Sequence, residues 1–377
     1  MPAPRLTRRA LNRATLARQG LLEPIQTADI ATTVASVGSL QAQHPEWPPI
    51  ALWTRAGDGV IGGLADALHE RTVVRAALMR ITVHVVAAAH FWAAATLTQE
   101  LRRLQFRTIF KADPFDSTVG RRLAATHAAV RAALRNGPLR IRDMDAIMKA
   151  GAPELADAPN RMHWRHLAAS IPLVHVPFAG EGYGRSRYAA ADEWIGPPSA
   201  DLDEATARQQ VAERYLAAFG PAGLDDLMSY VGKRGSVRRW RDAIDSLGER
   251  IVTFTTEDGR ELYDLVDAPR PGEDATAPPR LIARWDSLLL SHAPAARERV
   301  IADRHRAAVY TRNADVLPSF LIDGMVAGTW DRDGATITLR PFATVRRADR
   351  RALEAEAVSL VAAINPGSGD ARVVLAS

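Results

Sequence analysis

The feature that most restricts the fold is an internal echo built on Gly-Pro. Asn136-Gly137-Pro138-Leu139-Arg140-Ile141-Arg142-Asp143 is answered by Phe219-Gly220-Pro221-Ala222-Gly223-Leu224-Asp225-Asp226. Each copy follows an Ala-rich run of helix formers, Val119 to Leu134 and Ala205 to Ala218. Gly-Pro must end both helices, because proline lacks the backbone donor and glycine accepts the C-terminal turn. In each copy the Asp six residues past the Gly falls in the next expected helix. A further Arg- and Trp-bearing helix follows, Met162-His163-Trp164-Arg165 and Val237-Arg238-Arg239-Trp240-Arg241. Strand pairs come next. Leu173 to Pro177 pairs with Arg187 to Ala191 across Gly180-Glu181-Gly182-Tyr183-Gly184, and Ile251 to Thr255 pairs with Glu261 to Val266 across Asp258-Gly259. Three helices and a hairpin, twice over, predict tandem winged helices. Two unrelated helical hairpins would also fit the echo.

The N-terminal part has the same grammar. Residues 5–19, 27–38 (opened by Thr27, with Asp29 in the first turn), Trp47 to Arg55 and Leu64 to Glu70 read as helices. Val73 to Leu78 and Ile81 to Val86 read as a hairpin about Met79-Arg80. Residues 268–279, rich in Pro and Gly, read as a linker. Beyond it Phe320 to Val326, turning at Asp323-Gly324, and Thr336 to Arg340 are strands, Arg350 to Ile364 is an amphipathic helix and Arg372 to Leu375 a last strand. The expected fold class is mainly α with β-hairpins (α+β). Its expected units are an N-terminal winged-helix-like region at 1–117, winged helices at 118–198 and 199–267, and a small β-rich, α+β or barrel-like C-terminal unit at 280–377.

A chain of 377 residues with 47% hydrophobic and 24% charged residues is ordinary globular material. Net charge is +5, and only Lys111, Lys149 and Lys233 are lysines, so 45 of the 48 basic residues are arginines. Arginine grips phosphate bidentately, which suits nucleic acid, although a GC-rich codon bias yields the same excess. With no cysteine there is no disulfide, zinc-thiolate site or thiol nucleophile. Ile81 to Gln99 carries no Asp, Glu, Lys or Arg, yet its character changes midway from strand to helix, so it reads as a buried strand and helix rather than a membrane span. The arginine-rich N-terminus lacks an apolar region behind it, and a cytoplasmic, nucleoid-associated protein is expected. No P-loop, dinucleotide fingerprint, nucleophile elbow or His-Glu-x-x-His occurs, and no cofactor is expected. His163 and His166, three apart on an expected helix, could begin a metal site but show no third ligand, so no metal is expected.

The stretch Ser39-Leu40-Gln41-Ala42-Gln43-His44-Pro45 stands out chemically. Residues two apart share a face only in extended chain, and Gly38 before with Pro45, Pro48 and Pro49 after forbid a continuous helix. Gln41 and Gln43 therefore project from an extended corner, where paired neutral amides can hold a water without adding charge. By pattern alone they also fit surface or capping positions. Three basic clusters could meet DNA phosphate: the N-terminal arginines, Arg185 with Arg187 in the first wing, and Lys233, Arg234, Arg238, Arg239 and Arg241 in the second repeat. Solvated charge on exposed helices would look the same.

Leu40-Gln41-Ala42-Gln43, Leu52-Trp53-Thr54-Arg55, Met79-Arg80-Ile81-Thr82-Val83-His84-Val85-Val86, Gly220-Pro221, Arg284-Trp285-Asp286-Ser287-Leu288-Leu289-Leu290, Leu321-Ile322-Asp323-Gly324 and Gly328-Thr329-Trp330 occur in this order. Their succession resembles that of AlkZ-type DNA glycosylases, a winged-helix superfamily linked to repair and to self-resistance in producers of DNA-alkylating antibiotics. The resemblance implies tandem winged helices arranged as a C around DNA. It implies catalytic roles for Gln41 and Gln43, with Arg55, Arg80 and His84 supporting the site or orienting DNA. The implied reaction is hydrolysis of the N-glycosidic bond of bulky N7-alkylguanine-type lesions, with interstrand crosslinks as further substrates. The implied partner is double-stranded DNA carrying alkylated purines, met by a monomer. Another branch carries Gln-apolar-Asp, which this chain lacks. No lysine lies near the motif in sequence, so a Schiff-base lyase step is not expected. Many relatives are described only as winged-helix DNA-binding proteins, and a non-catalytic regulator or drug-sequestering protein is the alternative reading.

Overall fold

The computed structural model describes residues 3–27, 29–57, 60–153, 161–177, 186–232, 236–313, 315–365 and 371–376. Both Gly-Pro copies deliver the expected order. Helices Thr118–Arg135, Ile141–Gly151 and Met162–Ser170 precede strands Leu173–Pro177 and Ser186–Ala190. Helices Glu204–Phe219, Leu224–Val231 and Val237–Asp245 precede strands Ile251–Thr256 and Glu261–Leu265. The echoed aspartates have one job. Asp143 and Asp226 each stand at the third helical position and accept the N–H of the N-cap residue, Arg140 and Gly223.

The N-terminal elements differ in detail from the sequence reading. Arg5–Leu6 is not helical; it pairs in parallel with Ile251–Thr256, and the first helix begins at Arg8 because the Thr7 hydroxyl accepts the Ala10 N–H at 3.0 Å. Asp29 is the cap of the next helix, Ile30–Ser36, taking the N–H groups of Ala31 and Thr32, rather than part of its first turn. Helices Trp47–Ala56 and Val60–His69 follow, then strands Val73–Ala77 and Val83–Ala87, then the long helix Ala88–Phe110. The uncharged segment is thus a buried strand running into a helix, and no helix among the described residues is long and apolar enough to cross a membrane.

Local pattern could not reveal how the first two hairpins associate. Val73–Ala77 pairs antiparallel with Leu173–Pro177, Arg75 opposite His175, so both hairpins lie in one five-stranded sheet. Its edges are Leu40–Gln41 and Ser186–Ala190. Alternation divides this sheet between two cores. Val74, Ala76, Val86, Val174 and Val176 face a cluster with Phe91, Tyr215, Phe219 and Tyr230. Leu40, Ala42, Val73 and Val85 face a second cluster with Leu52, Phe320, Trp330 and Leu353. The glutamine segment therefore sits where the central sheet meets the C-terminal unit.

That unit is an open sheet among the described residues, ordered Arg372–Leu375, Thr336–Pro341, Met325–Asp333, Ser319–Ile322, Arg280–Ile282, with helix Arg347–Ile364 against it. Asp323 and Gly324, at φ 48° and 77°, form the expected tight turn. A Cβ on Gly324 would lie 2.5 Å from Asn12 Oδ1, so the turn also needs glycine to let the first helix approach. Residues 268–279 form no regular element but are pinned to that helix, Arg13 Nε donating to Ala275 O at 2.8 Å and Thr7 Oγ1 to Glu273 at 2.8 Å.

Candidate active site

Leu40 and Ala42 are buried, Gln41 is half-buried and Gln43 exposed. The alternation is that of extended chain and turns both amides away from the apolar core. The backbone is fixed from several directions. Ala42 N–H donates to Val83 O at 2.7 Å. Arg75, itself buried, donates from Nε and Nη2 to Ala42 O at 3.2 and 3.0 Å, clamping the carbonyl between the two glutamines. Just upstream, Ser287 Oγ donates to Ser39 O at 2.6 Å and the Ser39 hydroxyl meets Tyr230 OH at 2.9 Å.

The register sets Gln41 opposite His84. Because the neighbouring pair Ala42 and Val83 carries the ladder bond, Gln41 and His84 form a pair without one, whose side chains approach most closely. His84 Nδ1 lies 2.7 Å from Thr82 O. A carbonyl only accepts, so Nδ1 bears the proton and Nε2 presents its lone pair. Arg80 Nη2 donates to that Nε2 at 3.4 Å and to Gln41 Oε1 at 3.5 Å, while Arg80 Nη1 holds Tyr230 O at 2.8 Å. Burial first, and the Arg80 guanidinium second, hold the His84 imidazole down at about 3, so it is neutral at ordinary pH. Burial also lowers Arg80 from the usual arginine value. Gln43 Oε1 accepts the Val83 N–H at 3.4 Å. Each amide oxygen thus faces a framework donor with one lone pair to spare.

The turn carrying Arg80 is strained. Arg80 and Ile81 both adopt left-handed backbone, φ 56° and 58°, which costs about 1–3 kcal/mol per residue and persists where surroundings enforce it. The enforcing contacts are those of the guanidinium with Tyr230, Gln41 and His84.

The structure brings together Gln41, Arg80 and His84, with Gln43 two residues on, past the end of the strand Leu40–Gln41. Arg55 stands apart from them. It is fully buried and bidentate to Asp286, at 2.6 and 2.9 Å, with further bonds to Ala51 O and Gln19 Oε1. Asp286 caps the short helix Ser287–Leu290 whose first residue grips Ser39 O, so Arg55 is tied to the glutamine strand through that chain of hydrogen bonds. Arg187 lies on the opposite edge strand of the five-stranded sheet, about 19 Å away at ordinary strand spacing. Arg238 is 87% exposed beside Asp242. Arg239 is paired with Glu100 at 3.4 Å, and Arg241 with Glu261 at 3.4 Å and Tyr263 OH at 2.7 Å. Arg185, Lys233 and Arg234, with Gly180, Gly182 and Gly184, lie outside the described residues. His166 is hydrogen-bonded to His127, Nδ1 to Nδ1 at 2.7 Å, and to Pro114 O; no group of three metal-ligating side chains occurs among the described residues.

Sequence reasoning overlooked Arg75, Ser39 and Tyr230. Arg75 alone left a trace, a charge in the middle of an apolar strand. Also overlooked was a cavity of 420 Å³ with Gln43 on its lining, bounded by the Ala88–Phe110 and Met162–Ser170 helices and the end of the sheet.

A family model described as DNA glycosylase AlkZ-like matches residues 34–363. The interstrand DNA cross-link repair glycosylase of Streptomyces sahachiroi is 26% identical over 190 residues, so the match spans about half of either protein, 48% of each. The solved structure of Streptomyces sahachiroi DNA glycosylase AlkZ superposes with a TM-score of 0.80 over 99% of both chains at 18% identity. That likeness concerns the fold, and the family match runs through the glutamine segment to the last helix. The chain belongs to the AlkZ-like DNA glycosylase family.

Proposed function

We propose that this protein is a monofunctional DNA glycosylase hydrolysing the N-glycosidic bond of N7-alkylguanine-type lesions. The observation that carries the reading is that the amide oxygens of Gln41 and Gln43, two residues apart at the edge of the sheet, each meet a framework donor, Arg80 and the Val83 N–H. Alkylation at N7 makes the guanine cationic, so the bond to C1′ breaks readily. No strong general acid is then required, unlike ordinary glycoside hydrolysis with its two carboxylates. The C1′–N9 electrons return to the base and neutralise it. A water held by the spare lone pairs of Gln41 and Gln43 adds to the oxocarbenium-like sugar and releases its proton to solvent. Positioning supplies the rate, and misplacing such a water by an ångström costs about a hundred-fold. Neutral His84 adds no positive charge beside the cationic sugar; its part is to hold Arg80 against Gln41.

In this reading the repeated helix–helix–helix–hairpin units are winged helices, and with the N-terminal region they form a C-shaped, arginine-rich groove. Such an open groove accepts lesions that cannot be flipped into a closed pocket, crosslinked strands among them. The curated relative's name speaks of interstrand cross-link repair. Unhooking of crosslinks, self-resistance to a genotoxic antibiotic, a monomeric state and a cytoplasmic site of action belong to the same proposal. Arg238, Arg239, Arg241 and Arg187, with Arg185, Lys233 and Arg234, would contact phosphates. The test is incubation with duplex containing one N7-methylguanine and chromatography of the released base. Free base with an intact abasic strand is the expected product. DNA retention without base release would support a non-catalytic binding protein instead.

A further inference from the structure

Tyr230 belongs to the second repeat, 191 residues from Ser39 in sequence, yet it bonds to both segments that place the Gln41 amide. It is the penultimate residue of the helix Leu224–Val231, where backbone carbonyls have no helical partner and a cation is favoured. Arg80 fills that role. Its Nη1 donates to Tyr230 O at 2.8 Å, and its guanidinium carbon lies 5.7 Å from the centre of the Tyr230 ring. The helix end packs closely on the Arg80 turn: a Cβ on Gly232, whose φ is 118°, would stand 3.3 Å from Arg80 Cα and 3.1 Å from Leu101 Cδ2. At the far end of the Tyr230 side chain the hydroxyl meets Ser39 Oγ at 2.9 Å, two residues before Gln41. Both residues are buried, so a hydroxyl stripped of its partner there stays unsatisfied. Burial raises the Tyr230 phenol above its ordinary value and keeps it protonated.

The contact from Arg80 Nη2 to Gln41 Oε1 is long, 3.5 Å. A bond at that limit fails with a small relative movement of its two carriers, the left-handed turn and the segment from Ser39 to Gln41. One rigid phenol tied to both carriers resists that movement. We infer that Tyr230 is a positioning residue for base excision: its carbonyl holds Arg80, its hydroxyl holds Ser39, and together they keep the Gln41 oxygen against its donor. The second repeat thereby supports the glutamine strand as well as the proposed groove. The effect on rate rests on the glycosylase reading; the effect on the Gln41 amide does not.

Tyr230→Phe keeps the ring and the carbonyl and removes only the hydroxyl. With saturating enzyme over an N7-methylguanine duplex, it should slow single-turnover base release about ten-fold, as expected of a slight misplacement, with DNA affinity unchanged. Ser39→Ala should do the same. The double variant should be no slower than either single one, because both remove the same bond. Tyr215→Phe is the control. Tyr215 is also buried, its ring centre 5.1 Å from that of Tyr230, and its hydroxyl donates to Ser291 O at 3.0 Å, a bond that serves neither Arg80 nor Ser39. This variant should release base at the wild-type rate. Equal rates for wild type and Tyr230→Phe, equal slowing in Tyr215→Phe, or losses that multiply in the double variant overturn the assignment. The side-chain amide signals of Gln41 in nitrogen NMR, assigned by their loss in Gln41→Ala, give a readout without base release. Tyr230→Phe and Ser39→Ala should shift them, and Tyr215→Phe should not. Were wild type to release no base, the glycosylase reading would fall and these signals would decide alone; unmoved by Tyr230→Phe, they overturn the positioning role.

Discussion

Acid is expected to unlock the site through His84. The imidazole is 1% exposed and held at about 3 by burial, then by Arg80, against the opposing bond to Thr82 O. In the unfolded chain the same group titrates at about 6.5. The folded value is the lower one, so the unfolded chain takes up the extra proton. The contribution is therefore complete above about pH 6.5 and is lost as pH falls toward about 3. Between about pH 7 and about pH 4.5 one such group removes about 2.5 kcal/mol, a large share of a typical stability of about 5–15 kcal/mol. Urea unfolding of wild type and His84→Gln at both pH values measures it. The quantity read is the loss between the two pH values, so the variant's absolute stability does not matter. The variant's loss should be about 2.5 kcal/mol smaller. Equal losses, or a folded-state His84 signal titrating near pH 6.5 by nitrogen NMR, would refute the assignment of a neutral, Arg80-facing imidazole.

Asp286→Ala should destabilise by about 3–5 kcal/mol, seen as a lowered Tm, because Arg55 is left charged in the core; Arg55→Met with Asp286→Leu should recover most of that loss. Arg80→Gly and Arg80→Ala should both lose the contacts to Gln41 and Tyr230, but Gly should be the more stable by about 1–2 kcal/mol, since the left-handed backbone at this position penalises a Cβ; equal chemical denaturation midpoints would argue against strain there. In the proposed groove Arg238→Ala should reduce the slope of log binding constant against log salt by about 1, while Arg239→Ala, whose guanidinium shares Glu100 with Arg208, should change it less.

Much of the fold was legible because its signals are local. Gly-Pro breaks, aspartate caps and the Asp323-Gly324 turn are written within a few residues of where they act. Gly38 and the prolines near Gln41 forced extended chain there, and His84 and Arg80 lay close together in sequence. The rest depends on contacts between distant segments. Nothing in Val73 to Ala77 announces that it pairs with Leu173 to Pro177, so the sharing of one sheet by two hairpins was invisible. The same pairing helps to bound the cavity beside Gln43, whose lining comes from two helices and the sheet. Arg55 looked like a site residue in a motif, yet its partner Asp286 lies far along the chain and buries it. Arg239 and Arg241 looked free for phosphate, yet Glu100 and Glu261 reach them only in the folded protein.

Single-turnover release of base from an N7-methylguanine duplex, for wild type, Gln41→Ala and Gln43→Ala at matched DNA occupancy, reaches the central claim most directly. Each variant should bind DNA as wild type does and release base about a hundred-fold more slowly, as expected when a held water loses one of its two supports. Equal rates in all three proteins would contradict the account.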